Sequence, residues 1–117
     1  ADKKGNYIGG VILPGLRVSL NSLSGKTAQL PYISLEVPNK VIGKNTIDCM
    51  RAGIVFSNVD MIDGILDRME KELGETPTVI ATGGLARFIT PLCRHEIIFD
   101  DALLLKGLLI LYRKNTQ

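Results

Sequence analysis

The chain has 117 residues, of which 45% are hydrophobic and 22% charged, with a mean hydropathy of +0.18; that is one core-forming domain or part of one. A scattered net charge of +2 with 5% aromatic residues and no tryptophan excludes a basic stripe or base-stacking platform, so no nucleic-acid partner is expected. No apolar run approaches the ~20 residues of a bilayer span and no leader-like segment stands at the start, so a soluble cytoplasmic protein is expected, with Cys49 and Cys93 as free thiols.

The first residues, "DKKGN", have the composition of a tight hairpin turn, and Tyr7–Leu13 reads as the strand leaving it. A hairpin needs a strand on both sides, and the first is missing. The chain is therefore expected to be cut from something longer; the alternative is a frayed terminus. Pro14 then stands at a helix start, and "GLRVSLNSL" has apolar residues at 16, 18, 20 and 23, as a short helix would. "TAQLPYISLEVPNK", with two prolines, reads as extended loop.

"GKNT" supplies a cap, from Asn45 or Thr46, for a long helix ending near Gly74. "TPTVIAT" is a short strand closed by Gly83-Gly84, followed by a helix "LARFI" that Pro91 stops. "EIIF" is a further strand, and "DDALLLKGLLILYRKN" a closing helix that Asp100 or Asp101 could cap. Strands alternating with helices predict an α/β layer in which the last strands pair in parallel.

At about 100° per residue, Ile47, Met50, Ile54, Met61 and Ile65 of the long helix share one direction, and Val55, Val59, Ile62, Leu66 and Leu73 another. The arc is wider than one sheet requires. Either the helix is sandwiched inside one subunit, or one stripe meets a second copy. Gly53, Ser57 and Gly64 form a stripe where another backbone could approach. Asp60, Asp63 and Asp67 are expected to face water, with i,i+4 pairs such as Asp67–Lys71.

Several chemistries can be weighed on these residues. Gly25-Lys26-Thr27 ends like a P-loop, but Leu20 stands where its first glycine is required and no strand precedes it. The P-loop reading is rejected, and Thr27 needs another role. Cys93 and His95 offer too few ligands for a structural zinc, so no metal site is expected. The single histidine, expected at the surface or partly buried, gives little support to a Ser/His or Cys/His nucleophile. Gly83-Gly84 is the remaining candidate: a glycine turn between strand and helix presents free N–H groups at the sheet edge where nucleotides bind.

Four stretches, in order, resemble the type III pantothenate kinases: "YIGGVILPG" (7–15), "TAQLP" (27–31), "VIGKNT" (41–46) and "VIATGGL" (79–85). The ending "LLLKGLLILYRKN" is also similar to that family's closing helix, while Leu13 stands where an alanine is common. The resemblance implies most of one actin-like (ribonuclease H-like) domain, a mixed sheet flanked by helices. Residues 1–117 would be a partial C-terminal domain of a two-domain kinase, lacking its first strands and its N-terminal domain.

It implies ATP-dependent phosphorylation of pantothenate to 4'-phosphopantothenate, the first step of coenzyme A biosynthesis, by a homodimer. The alternative is a transcription-associated accessory protein of the same family without kinase activity. ATP is the implied donor, with a monovalent cation (potassium or ammonium) and a divalent metal whose ligands are not in this piece. Thr27, the threonine of T-A-x-L-P, is implied to bind substrate, and Gly83 and Gly84 to bind the nucleotide near its nucleoside end. The catalytic aspartate and the phosphate loop belong to the missing part, so no catalytic residue is assigned and this piece alone is expected to be inactive.

Overall fold

The computed structural model describes residues 1–24 and 36–116. Its longest element is α2, Thr46–Leu73, and both ends are set by local chemistry. Of the two candidate caps it is Asn45 that stays extended, and its Oδ1 accepts from the Asp48 N–H at 2.9 Å. The Asn45 amide donates back to the Asp48 carboxylate at 2.9 Å, placing negative charge in the first turn where the helix dipole favours it. At the other end Gly74 adopts φ +71, a left-handed position that glycine takes without a Cβ penalty, and its N–H reaches the Glu70 carbonyl.

The shorter α1, Leu16–Ser24, packs on α2. Leu16, Met50, Ile54, Val55, Val59 and Ile89 form the core between them and the following helical segment. Asn58 is also buried; its amide donates to the Ile54 carbonyl at 2.7 Å and faces Ser19 Oγ at 3.5 Å, so its polarity is matched. Gly43 lies against the start of α2 so closely that a Cβ there would stand 2.5 Å from the Cys49 backbone nitrogen. The glycine of "VIGKNT" is thus required by packing.

After α2, β1 (Val79–Ala81) leads through Thr82-Gly83-Gly84 into α3 (Ala86–Ile89). Pro91 ends α3 as expected, and the chain makes one 3-10 turn over Thr90–Leu92. It then enters β2 (Ile97–Phe99), which pairs with β1 in parallel, Ile80 opposite Ile98. The observed class is α/β. The final helix α4, Leu103–Asn115, has Ala102 at its N-cap; Asp100 accepts from the Ala102 N–H at 3.0 Å and from Lys106 Nζ at 2.6 Å, while Asp101 pairs with Arg87. Neither aspartate is the cap residue itself.

One expected element does not form. Residues 7–13 make no strand, because a ladder needs a partner and none of the described residues supplies one. The turn before it does form: Asp2 N–H donates to the Asn6 carbonyl, Gly5 N–H to the Asp2 carbonyl, and Gly5 sits at φ +81. The Asp2 carboxylate accepts from the Lys4 and Asn6 N–H groups, and the Asn6 bonds above all hold it below its ordinary value.

Much apolar surface stays uncovered. Ile80 and Ile98 project from the same face of the sheet and are half-exposed. Along α4, Leu104 is 72% exposed and Leu105 68%, and no α4 residue is buried. No helix among the described residues is long and apolar enough to cross a membrane.

Candidate nucleotide site

Parallel pairing fixes where a ligand can approach. Both β1 and β2 point their carboxyl ends to one edge, and the backbone there opens outward. Thr82, Gly83 and Gly84 leave β1 at this edge, with Gly83 at φ +103, so the turn needs a residue free of Cβ constraints. Nothing stands within 4 Å of where a Cβ of Gly83 or Gly84 would lie, so this wall is bare backbone. It lines a cavity of about 420 Å³ whose other side is Gly15, Leu16 and Arg17 at the start of α1. The cavity is an open depression at the surface, not an enclosed pocket. Two stretches far apart in sequence, "LPGLR" and "ATGGL", therefore face one space.

The same edge carries no free acid among the described residues lining it. Asp100, at the end of β2, is held below its ordinary value first by Lys106 and then by the Ala102 N–H. Arg87 lies over the Phe99 ring at 5.0 Å and bonds Asp101 at 3.2 Å, tying α3 to the end of β2. These groups brace the turn; they do not offer a base. Thr27 lies outside the described residues.

At the opposite end of the sheet, just before β2, α2 holds the chain through its acidic face. The Asp63 carboxylate, 4% exposed, accepts from the backbone N–H groups of Arg94 at 2.8 Å and His95 at 3.2 Å. One turn on, Asp67 takes Arg94 Nη2 and His95 Nε2, both at 2.7 Å, and Glu70 Oε1 lies 3.3 Å from His95 Nδ1. Asp60 and Asp67 are exposed, as expected, whereas Asp63 is buried. The expectation for Asp63 is corrected, because the loop 93–96 folds back over it; Asp67 stays exposed, but it meets Arg94 where a pair with Lys71 was expected. His95 is partly buried, as expected.

Asp67, Glu70 and His95 bring one ligand atom each within 4.8 Å of one another. Their Asp67 member is already committed to Arg94, and the trio sits at the wrong end of the strands to meet a nucleotide at the glycine turn. It does not fit a metal serving phosphoryl transfer. Cys93 turns elsewhere, its Sγ donating to the Ile89 carbonyl at 3.4 Å. Burial foremost, then Asp63 and Asp60, push its thiol above the ordinary 9.0, which leaves it a poor nucleophile.

Arg94 first and His95 second hold the Asp67 carboxyl below its ordinary 3.8. A depressed folded value means the stabilisation is complete above the ordinary range and is lost as pH falls through the lowered value. The Asp67 carboxyl carbon should accordingly titrate with a midpoint below 3.8 in NMR, rising toward that value in Arg94→Ala. An unchanged midpoint in that variant would contradict the pairing.

The family model for Type III pantothenate kinase matches residues 1–68, more than half of the chain. Similar curated proteins bear the same name: one from Citrifermentans bemidjiense is 46% identical over 114 residues, 97% of this chain and 45% of the relative. Another from Bacillus cytotoxicus is 44% identical over 110 residues, 94% of this chain and 42% of the relative. A third from Syntrophus aciditrophicus is 40% identical over 113 residues, covering 97% and 44%. The chain thus spans less than half the length of the curated relatives it matches. On the match of its first 68 residues and the identity carried through nearly all the rest, the chain belongs to the type III pantothenate kinase family.

Proposed function

We propose that the chain is the larger part of the C-terminal domain of a cytoplasmic, two-domain, actin-like kinase that phosphorylates pantothenate with ATP, the first step toward coenzyme A. The observation that carries this reading is sustained identity to proteins named type III pantothenate kinase over nearly the whole chain. The nucleotide lies against Gly83 and Gly84, and the Thr27 hydroxyl binds pantothenate. Phosphoryl transfer is mainly positioning and electrostatic stabilisation. The base, the phosphate loop and the ligands of the divalent and monovalent cations are supplied by the rest of the protein, so this piece alone does not turn over. The uncovered Ile80–Ile98 face and α4 are where that remainder is expected to pack.

The experiment is ADP release by the intact protein, which should require pantothenate. Release without it would contradict the kinase reading, and salt-dependent DNA binding with no such release would favour the accessory-protein reading.

The active form is a homodimer that uses the Gly53–Ser57–Gly64 stripe of α2. Gly53 and Ser57 line an open cavity of about 300 Å³ beside α1, and nothing lies within 4 Å of a Cβ built on Gly64. The Cβ of Gly64→Leu therefore meets nothing in the subunit, and the variant should act chiefly on a neighbour. Sedimentation of the intact variant should show a weakened dimer; an unchanged dimer would exclude the stripe as a contact.

A further inference from the structure

The glycine turn supplies only one wall of the 420 Å³ cavity, and the opposite wall carries a charge that the family motifs do not explain. Resting on the nucleotide reading above, we propose that Arg17 recognises the phosphates of the nucleotide. The nucleoside occupies the Gly83–Gly84 side, and the guanidinium at the rim pairs with a phosphate of the same ligand.

Arg17 is the sole charged residue lining this cavity among the described residues, so no carboxylate there repels an anion or competes for the guanidinium. Arg51, Arg87 and Arg94 are each engaged by Glu36, Asp101 and Asp67, whereas no described carboxylate takes Arg17. Arg68 and Arg113 have no described ion pair either, but neither lines this space. The position is also fixed. Leu16, immediately before it, is 5% exposed and packed in the core with α2, so Arg17 projects from an anchored turn. Gly15 beside it leaves the rim open, with nothing within 4 Å of a Cβ there. A guanidinium donates two parallel N–H bonds to a phosphate, a geometry that lysine cannot reproduce.

The test is calorimetric titration of the intact protein with adenosine, ADP and ATP, for the unaltered chain, Arg17→Gln and Arg17→Lys. Arg17→Gln should weaken ADP and ATP by about 10- to 100-fold, the usual worth of hydrogen bonds to a charged group, and leave adenosine within about twofold. Arg17→Lys should recover part of the loss, and the pantothenate KM should not move. If the unaltered protein binds ATP and Arg17→Gln binds it equally well, this inference fails while the glycine-turn reading stands. Equal loss of adenosine and ATP would also overturn it, since the residue would then act on the nucleoside or the fold. If the unaltered protein binds no nucleotide, the reading beneath it falls as well.

Discussion

Asp63→Ala should lower the unfolding free energy of the intact protein by about 2–4 kcal/mol, the cost of stripping two backbone N–H groups of a charged acceptor at a mostly buried site. The carboxylate is 4% exposed and takes the Arg94 and His95 N–H groups at 2.8 and 3.2 Å. Those two residues lead straight into β2, so the bond fixes where the second strand begins. Asp63→Asn keeps one acceptor oxygen and should lose less. Asp67→Ala removes an exposed ion pair screened by solvent and should cost much less than either. Urea unfolding of the three variants checks the order; an Asp63→Ala midpoint equal to that of the unaltered protein would refute it.

Thr27→Val should weaken pantothenate binding by roughly 5- to 100-fold, equivalent to about 1–3 kcal/mol, with far less effect on ATP. The substitution keeps the shape and deletes the hydroxyl, which on the proposed role would leave a group of the substrate unpaired. Thr27→Ser should recover much of the loss. Steady-state kinetics of the intact protein decide it: an unaltered pantothenate KM, or damage to ATP first, would remove Thr27 from the substrate site.

What the sequence disclosed and what it hid follow one physical division. The ends of α2 were readable because Asn45 and Gly74 act on backbone groups within a few residues of themselves. The β1–glycine turn–α3 unit was readable for the same reason, and so was the parallel pairing, since a helical crossover permits little else. The strand expected at Tyr7–Leu13 has the right residues, but pairing is a property of two segments and only one is described.

The role of Asp63 was hidden by treating each aspartate on α2 as a solvent-facing charge. Asn58 was legible where Asp63 was not: at about 100° per residue it falls between the two apolar directions, and it is buried and bonded to the Ile54 carbonyl. Asp63 lies just beyond the edge of that arc, and what buries it is a loop some thirty residues away, which no local period reveals. The cavity shared by Arg17 and Gly83-Gly84 was likewise beyond periodicity, because it exists only once α1 and the β1 turn are brought together.

The most direct measurement is mass spectrometry of the intact protein's products after incubation with pantothenate and ATP carrying a labelled γ-phosphate. The label should appear in 4'-phosphopantothenate, with one ADP formed for each product molecule. ATP consumed with no labelled pantothenate product, or no consumption at all by a folded, nucleotide-binding protein, would contradict the proposed activity.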